Sequence, residues 1–336
     1  MGIESTAHTF GAAVVSGDVS GSDFKIRSDV RDVYKAPEGS GIHPREASRH
    51  HSQVSGDVIE KAIREAGVAI GDLDFVAYSA GPGLGPCLRI GAVVARSLAS
   101  YYNKPLVPVN HAIGHIELGK RLTGLEDPMV LLISGGHTAL AGLQKEGWRI
   151  FGETLDLTLG QLLDQLGRYF GLSSPAGPAI EKLAATGRET GQLISLPYVV
   201  KGNDVSYSGL LSAAKELHSR GSSREAVSYS VQEYAFAMLT EATERALAFA
   251  DNQSLLVTGG VAANQRLAAM LNEMCAERGV KLGVIAKQFA GDCGSQIGAA
   301  GLDLFHRGLK VEPIYGFIKQ SWRLDRVNLG SVSPSG

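Results

Sequence analysis

At 336 residues with 44% hydrophobic content, the chain can bury sizeable cores and is long for a single one, so two domains are expected. Its 32 basic and 34 acidic residues leave a formal charge of −2, which argues against a basic nucleic-acid binder acting alone while leaving local patches open. The widely spaced Cys87, Cys275 and Cys293 indicate neither a disulfide framework nor a cysteine zinc site, and the chain has no signal core or bilayer-length apolar run; a cytoplasmic protein with no membrane contact is expected.

GIESTAHTFGAAVV at the start reads as strand, small polar turn and strand. Apolar residues at 54, 58, 62, 63 and 66, followed by Gly67, predict a helix over Val54–Ala66. Phe75–Ala80 is a short strand that runs into GPGLGPCLR and a helix from about Ile90 to Tyr101. LVPVN is the next strand, and NHAIGHIELGK opens the helix after it. MVLLISGGHTALAGL repeats the opening hairpin with a tighter turn, which suggests a duplicated α/β fold of two lobes. GETLDLTLGQLLDQLGRYFGL is helical in its later part, and Val227, Val231, Met238, Ala242 and Phe249 mark a long amphipathic helix. SLLVTGG then leads as a strand into the helix VAANQRLAAML. Strands alternating with helices predict mostly parallel sheets. The closing SVSPSG is linker-like.

Several of these segments could carry chemistry. His111 and His115 are four apart and share a helical face, where two imidazoles can close on a metal; unrelated histidines are the plainer reading. A zinc protease needs glutamate right after the first histidine, and Ala112 stands there. Ser134, Gly135, Gly136 and His137 form a turn whose free N–H groups could surround an anion, or which is simply a tight hairpin. GGVAAN, ending at Asn264, stands between strand and helix, where nucleotides bind in open α/β folds, or where glycines merely allow close packing. GPGLGPCLR is either a rigid loop or a ligand loop to which Arg89 adds charge.

Asp164 falls near the apolar face of its helix, so it either pairs structurally or faces a cleft; PAGPAIEK adds Gly177 and Glu181. Asp292 in a small-residue turn is most simply an N-cap. GIHPREASRHH could form a second metal site, although a polar cleft edge or partner surface suits it better. DVSYSGL has no role that spacing assigns.

In order, GIESTAHTFG, GIHPREASRHH, GPGLGPCLR, NHAIGHIE, SGGHT, GETLDLTLGQLLDQLGR, PAGPAIE, DVSYSGL, GGVAAN and GDCGSQIG closely resemble the tRNA threonylcarbamoyltransferase family. These are the Kae/Gcp proteins once described as O-sialoglycoprotein endopeptidases, and the likeness spans about residues 2–327. The segments look like the archaeal and eukaryotic branch, whose members work in the KEOPS complex.

The resemblance implies an actin/Hsp70/sugar-kinase fold, two ribonuclease-H-like lobes around a nucleotide cleft. Residues 1–120 would form the N-terminal lobe, with 297–327 packing back on it, 121–296 the C-terminal lobe and 328–336 a tail. It implies one divalent metal, iron or zinc, on His111, His115 and Asp292, the last from the far lobe. Ser134, Gly135, Gly136 and His137 would contact phosphate, and Asp164, Gly177, Glu181 and Asn264 would hold the ribose and adenine of ATP, AMP or threonylcarbamoyl-AMP.

The implied reaction moves threonylcarbamoyl from threonylcarbamoyl-AMP to N6 of the adenosine 3′ of the anticodon in tRNAs reading ANN codons. The implied partners are a small atypical kinase, a dimerising subunit, a regulatory subunit, and tRNA held largely through the complex. No general base is evident. Three positions depart from the family pattern. Leu132 stands where many archaeal members have a metal-binding tyrosine; Cys293 replaces asparagine, its thiol open to metal binding, oxidation or plain packing; and PAGP replaces PGGP. The rival readings are a small-molecule phosphotransferase of the same fold and a non-catalytic nucleotide-binding scaffold. Keeping both histidines and Asp292 speaks against each.

Overall fold

The computed structural model describes residues 1–327 apart from 19–22, 38–39 and 146; the linker-like tail predicted for 328–336 lies outside the described residues. In chain order the elements are β1 (Gly2–Glu4), β2 (Thr9–Ser16), β3 (Lys25–Val33), α1 (Pro44–Ala66), β4 (Val76–Gly81), α2 (Gly85–Tyr101), β5 (Leu106–Asn110) and α3 (His111–Thr123). There follow β6 (Met129–Ile133), β7 (Thr138–Gln144), β8 (Gly147–Glu153), α4 (Leu159–Tyr169), α5 (Gly177–Glu189), β9 (Val200–Lys201), β10 (Asp204–Val205), α6 (Ser208–Ser219) and α7 (Arg224–Ala250). The chain closes with β11 (Ser254–Thr258), α8 (Gln265–Arg278), β12 (Lys281–Val284), α9 (Lys287–Ala290) and α10 (Gly294–His306).

Two five-stranded sheets form, in the orders β3-β2-β1-β4-β5 and β12-β11-β6-β7-β8. Each joins an antiparallel meander, β1-β2-β3 or β6-β7-β8, to two parallel neighbours. The duplicated hairpins are therefore real. The expectation of mostly parallel sheets is corrected, because the third meander strands, β3 and β8, have alternating polar residues that did not read as strands.

Helices α3 and α10 lie against each other between the sheets, α3 touching β5 and β6 and α10 packing on β1, β2, β4 and β5. Val107, Ile113, Ile116, Val130, Leu132, Leu256 and Ile297 form the core there, each buried aliphatic chain contributing about 1.5–3 kcal/mol of transfer free energy. Leu132 is completely buried in this core. A second core fills the space between the later sheet and α4–α8. A third, with Ile3, Phe10 and Tyr78, lies under α1 and α2.

Helix starts differ from expectation. α1 begins at Pro44 and α2 at Gly85, each with proline in its first turn, where the missing N–H costs nothing. Phe249, expected on the buried face of α7, is 70% exposed. No helix among the described residues is long and apolar enough to cross a membrane.

Candidate functional site

α3 starts where Asn110 caps it, its Oδ1 accepting from Ala112 N at 2.9 Å and Ile113 N at 3.3 Å. That cap fixes the first turn, and the 3.6-residue period brings the His111 and His115 rings to 4.7 Å between centroids. Asp292, between α9 and α10, completes the group: its Oδ1 is 3.5 Å from His111 Nε2 and 3.4 Å from His115 Nε2. Asp292 is not the N-cap of α10. Cys293 holds that position, without a side-chain capping bond, because the carboxylate is turned toward the histidines.

Behind His111, Nδ1 meets Glu4 Oε2 at 2.9 Å, with Thr6 Oγ1 at 3.3 Å and Gln296 Nε2 at 3.1 Å. Glu4 is fully buried at the end of β1. Burial pulls the His111 pKa down, but Glu4 and Asp292 outweigh it and raise it to about 9. Burial lowers that of His115. Burial also opposes the Asp292 charge, yet His111 and His115 prevail and hold its pKa below the usual carboxylate range.

The chemistry of this group fits a divalent cation. Both ring nitrogens of His115 are buried without a hydrogen-bond partner among the described residues, Nε2 having only the 3.4 Å approach of Asp292, and an unpaired buried group costs about 1–3 kcal/mol if nothing binds there. Two imidazoles and one carboxylate, with ligand atoms within 4.8 Å of one another, suit zinc or ferrous iron and leave coordination positions open. Among the described residues no other such group exists. The lesser reading of GIHPREASRHH, a second metal site, finds no such group there among the described residues: His50 bonds Asp32 at 2.9 Å, His51 bonds Ala7 O at 3.1 Å, and the two rings meet edge-on. Cys293 lies outside the metal group too, its Sγ 3.2 Å from Ser295 Oγ and 3.7 Å from Gln296 Oε1.

The turn Ser134–His137 abuts this group, with the His137 ring 6.4 Å from that of His111 and nearly parallel to it. Burial, then the neighbouring His111 and His115, lowers the His137 pKa to about 3, and its buried Nδ1 has no hydrogen-bond partner among the described residues. α4 presses its N-terminus on the same turn: a Cβ on Gly160 would lie 2.6 Å from Ser134 O. Thr158 starts α4 with a capping box and also donates to Gly135 O at 2.9 Å. The expected row of free N–H donors is mostly occupied. Gly136 N and His137 N donate to Ser134 Oγ at 3.2 and 3.1 Å, and Ser134 N donates to His137 O at 2.8 Å. An anion there must share or displace the Ser134 hydroxyl, while Gly135 and Gly136 leave open space above the turn.

Asp164, Gly177, Glu181 and Asn264 are joined into one seam. Asp164 Oδ1 accepts from Ala176 N at 2.6 Å, just before Gly177 opens α5. Glu181 Oε1 accepts from Gln265 N at 2.8 Å. Asn264 caps α8 through Arg266 N and Leu267 N, and its Nδ2 donates to Gln232 Oε1 at 3.1 Å. Asp156 holds DVSYSGL, accepting from Ser206 Oγ at 2.6 Å and Tyr207 N at 2.8 Å. Glu4 and Gln296 went unread as site residues, although an acid ending a short buried strand was a signal for the former.

Two sheets of this construction, each a meander continued by parallel strands, define the actin/Hsp70/sugar-kinase class. HypF from T. kodakarensis matches with a TM-score of 0.59 at 14% identity, over 92% of this chain and 49% of that one. Full-length HypF in its phosphate- and nucleotide-bound form matches at 0.60 with 12% identity, over 91% and 46%. The chain thus spans about half the length of these structures, and the likeness concerns the fold alone.

Residues 25–299 match the family model TsaD, tRNA N6-adenosine threonylcarbamoyltransferase. Relatives of that name from Pyrobaculum calidifontis and Thermofilum pendens are 45% and 46% identical, over 98% and 97% of this chain and 94% and 95% of theirs. One from Methanopyrus kandleri is 45% identical over 97% of this chain and 94% of its own. The chain belongs to the tRNA N6-adenosine threonylcarbamoyltransferase family, a family of acyltransferases.

Proposed function

We propose that the chain transfers the threonylcarbamoyl group from threonylcarbamoyl-AMP to N6 of the adenosine 3′ of the anticodon in tRNAs reading ANN codons, as the catalytic subunit of a KEOPS complex. The observation that carries this reading is the 6.4 Å approach of His137, from the glycine turn, to His111 of the metal group. On this reading one cleft serves both an activated phosphate and an acyl carbonyl.

The exocyclic amine of adenine is a poor nucleophile because its lone pair is delocalised into the ring. The acyl group must then arrive on a good leaving group, which AMP supplies. A divalent metal on His111, His115 and Asp292 supplies Lewis acidity when bound. The chain's own residues do the rest. Glu4 orients His111, and the Ser134 turn directs its N–H groups to the phosphate as AMP departs, the Ser134 hydroxyl that now accepts from them being shared or displaced. The seam from Asp164 through Gly177 and Glu181 to Asn264 borders the nucleoside, and burial keeps His137 neutral beside it. With a net charge of −2, tRNA affinity comes largely from the kinase, dimerising and regulatory subunits.

The test is reconstitution with threonylcarbamoyl-AMP, tRNA and partner subunits, comparing wild type with His111→Ala for N6-threonylcarbamoyladenosine by nucleoside mass spectrometry. Wild-type yield with a hundredfold or greater loss in the variant is expected (about 2.7 kcal/mol in the barrier). Equal yields would remove the metal group from the reaction.

A further inference from the structure

His111 and His115 ride on one capped helix and need nothing else to set their spacing. Asp292 has no such support. It occupies the short connection between α9, which ends at Ala290, and α10, which begins at Gly294, and its own side chain caps neither helix. What holds it comes from the first sheet. Arg31 on β3 donates from Nη2 to Gln288 O at 2.7 Å and from Nη1 to Asp292 O at 3.4 Å. Two residues earlier on the same face of β3, Asp29 Oδ2 accepts from Ser295 Oγ at 2.8 Å and lies 3.5 Å from Arg31 Nη2. The two side chains therefore grip the connection on both sides of Asp292.

The grip closes against a hard stop. A Cβ on Gly294 would lie 2.5 Å from Ala12 C and Ala13 N of β2, so the connection is pressed onto sheet backbone with no slack. Placing a buried carboxylate beside a strand edge carries a desolvation cost. The Asp29 side chain is 9% exposed, and its Oδ1 is buried without a hydrogen-bond partner among the described residues. A simple strand-to-helix contact could be made more cheaply by apolar side chains. A directional, charged grip fits a segment whose position matters to a fraction of an ångström, as that of a metal ligand does.

We propose that Asp29 and Arg31 are positioning residues for Asp292, clamping residues 288–295 so that its carboxylate meets the two histidines in a site already shaped for a divalent cation. The proposal rests on the reading of His111, His115 and Asp292 as a metal group.

The test is Zn(II) affinity of the full chain by chelator competition, with the visible spectrum of the Co(II)-substituted protein and thermal unfolding measured alongside. Arg31→Ala is expected to bind Zn(II) ten- to a hundredfold more weakly and to shift the Co(II) bands while remaining folded, with Arg31→Lys recovering part of the loss through its remaining donor. If Arg31→Ala fails to fold, Ser295→Ala, which deletes only the hydroxyl held by Asp29, is read in the same way. Folded variants with wild-type affinity and spectrum would overturn the clamp, whatever their melting temperature. His115→Ala separates the two ideas. If it binds Zn(II) as tightly as wild type, the metal reading itself fails; if it alone loses binding, only the clamp fails.

Discussion

Glu4 Oε2 lies 2.9 Å from His111 Nδ1, so one buried carboxylate decides which nitrogen of that ring faces Asp292. Its other oxygen accepts from Thr6 N at 2.6 Å, which leaves the Glu4 side chain no freedom to turn. An imidazole that donates from Nδ1 to a carboxylate presents a more basic Nε2. Glu4→Gln should weaken Zn(II) binding ten- to a hundredfold without unfolding the chain. Chelator competition measures this, and affinity within twofold of wild type would mean that the carboxylate only packs.

Metal uptake should expel a proton from His111. Its pKa in the metal-free protein is raised to about 9 by Glu4 and Asp292 against the opposing effect of burial. Below that value the ring is protonated on both nitrogens, and a cation must displace the proton from Nε2. Apparent Zn(II) affinity should rise about tenfold per pH unit between roughly pH 7 and 8.5 and flatten above about 9. Calorimetry in buffers of different ionisation enthalpy would count the protons released. A pH-independent affinity over that range would show that His111 is neutral before the metal arrives.

His51 should make the fold acid-sensitive. Burial first, and the neighbouring His50 second, lower its pKa from 6.5 to about 4. The unfolded chain therefore takes up a proton between pH 6.5 and 4 that the folded chain refuses. Stability from this residue is complete above 6.5 and lost as pH falls toward 4, up to about 3 kcal/mol. Urea unfolding across that range should show the slope, and His51→Gln should flatten it. An equal slope in the variant would assign the acid sensitivity to other groups.

How much of this was legible in the sequence depended on whether one element or several carry the feature. The i,i+4 histidines and the tight Ser134 turn are local, and their spacing already places them on helix and hairpin. The Asp292 partnership is not local. Nothing around it distinguishes a ligand from an N-cap, and the choice is made by α10 folding back against α3 between the sheets. β3 and β8 were missed for a related reason. Edge strands can carry charged residues at alternate positions, as in Arg27, Asp29 and Arg31, and local pattern cannot show that the latter two are covered by residues 288–295 and do not lie in a polar loop. The Ser134 turn illustrates the remaining gap. Its glycines show that N–H groups could be free, but not that the Ser134 hydroxyl already occupies two of them.

Cys293, which could have been a metal ligand or an oxidation site, should instead be chemically silent. It is completely buried. Burial, with Asp29 adding to it, pushes its thiol up to about 12, and burial alone raises Cys87 and Cys275 to about 11. At pH 8 the reactive thiolate is then a fraction of about 10⁻³ or less at each position, before access is considered. Iodoacetamide at that pH should leave the folded chain unmodified over an hour, while all three cysteines react once denaturant is added. The order of reaction at intermediate denaturant is informative too. Cys293 shares Ser295 with the Asp29 contact, so it should become reactive together with loss of Zn(II) binding and not with the later exposure of Cys275 in α8. Rapid alkylation of Cys293 in the native chain would show that the connection bearing Asp292 opens readily, and the clamp from β3 would then be too weak to set the site.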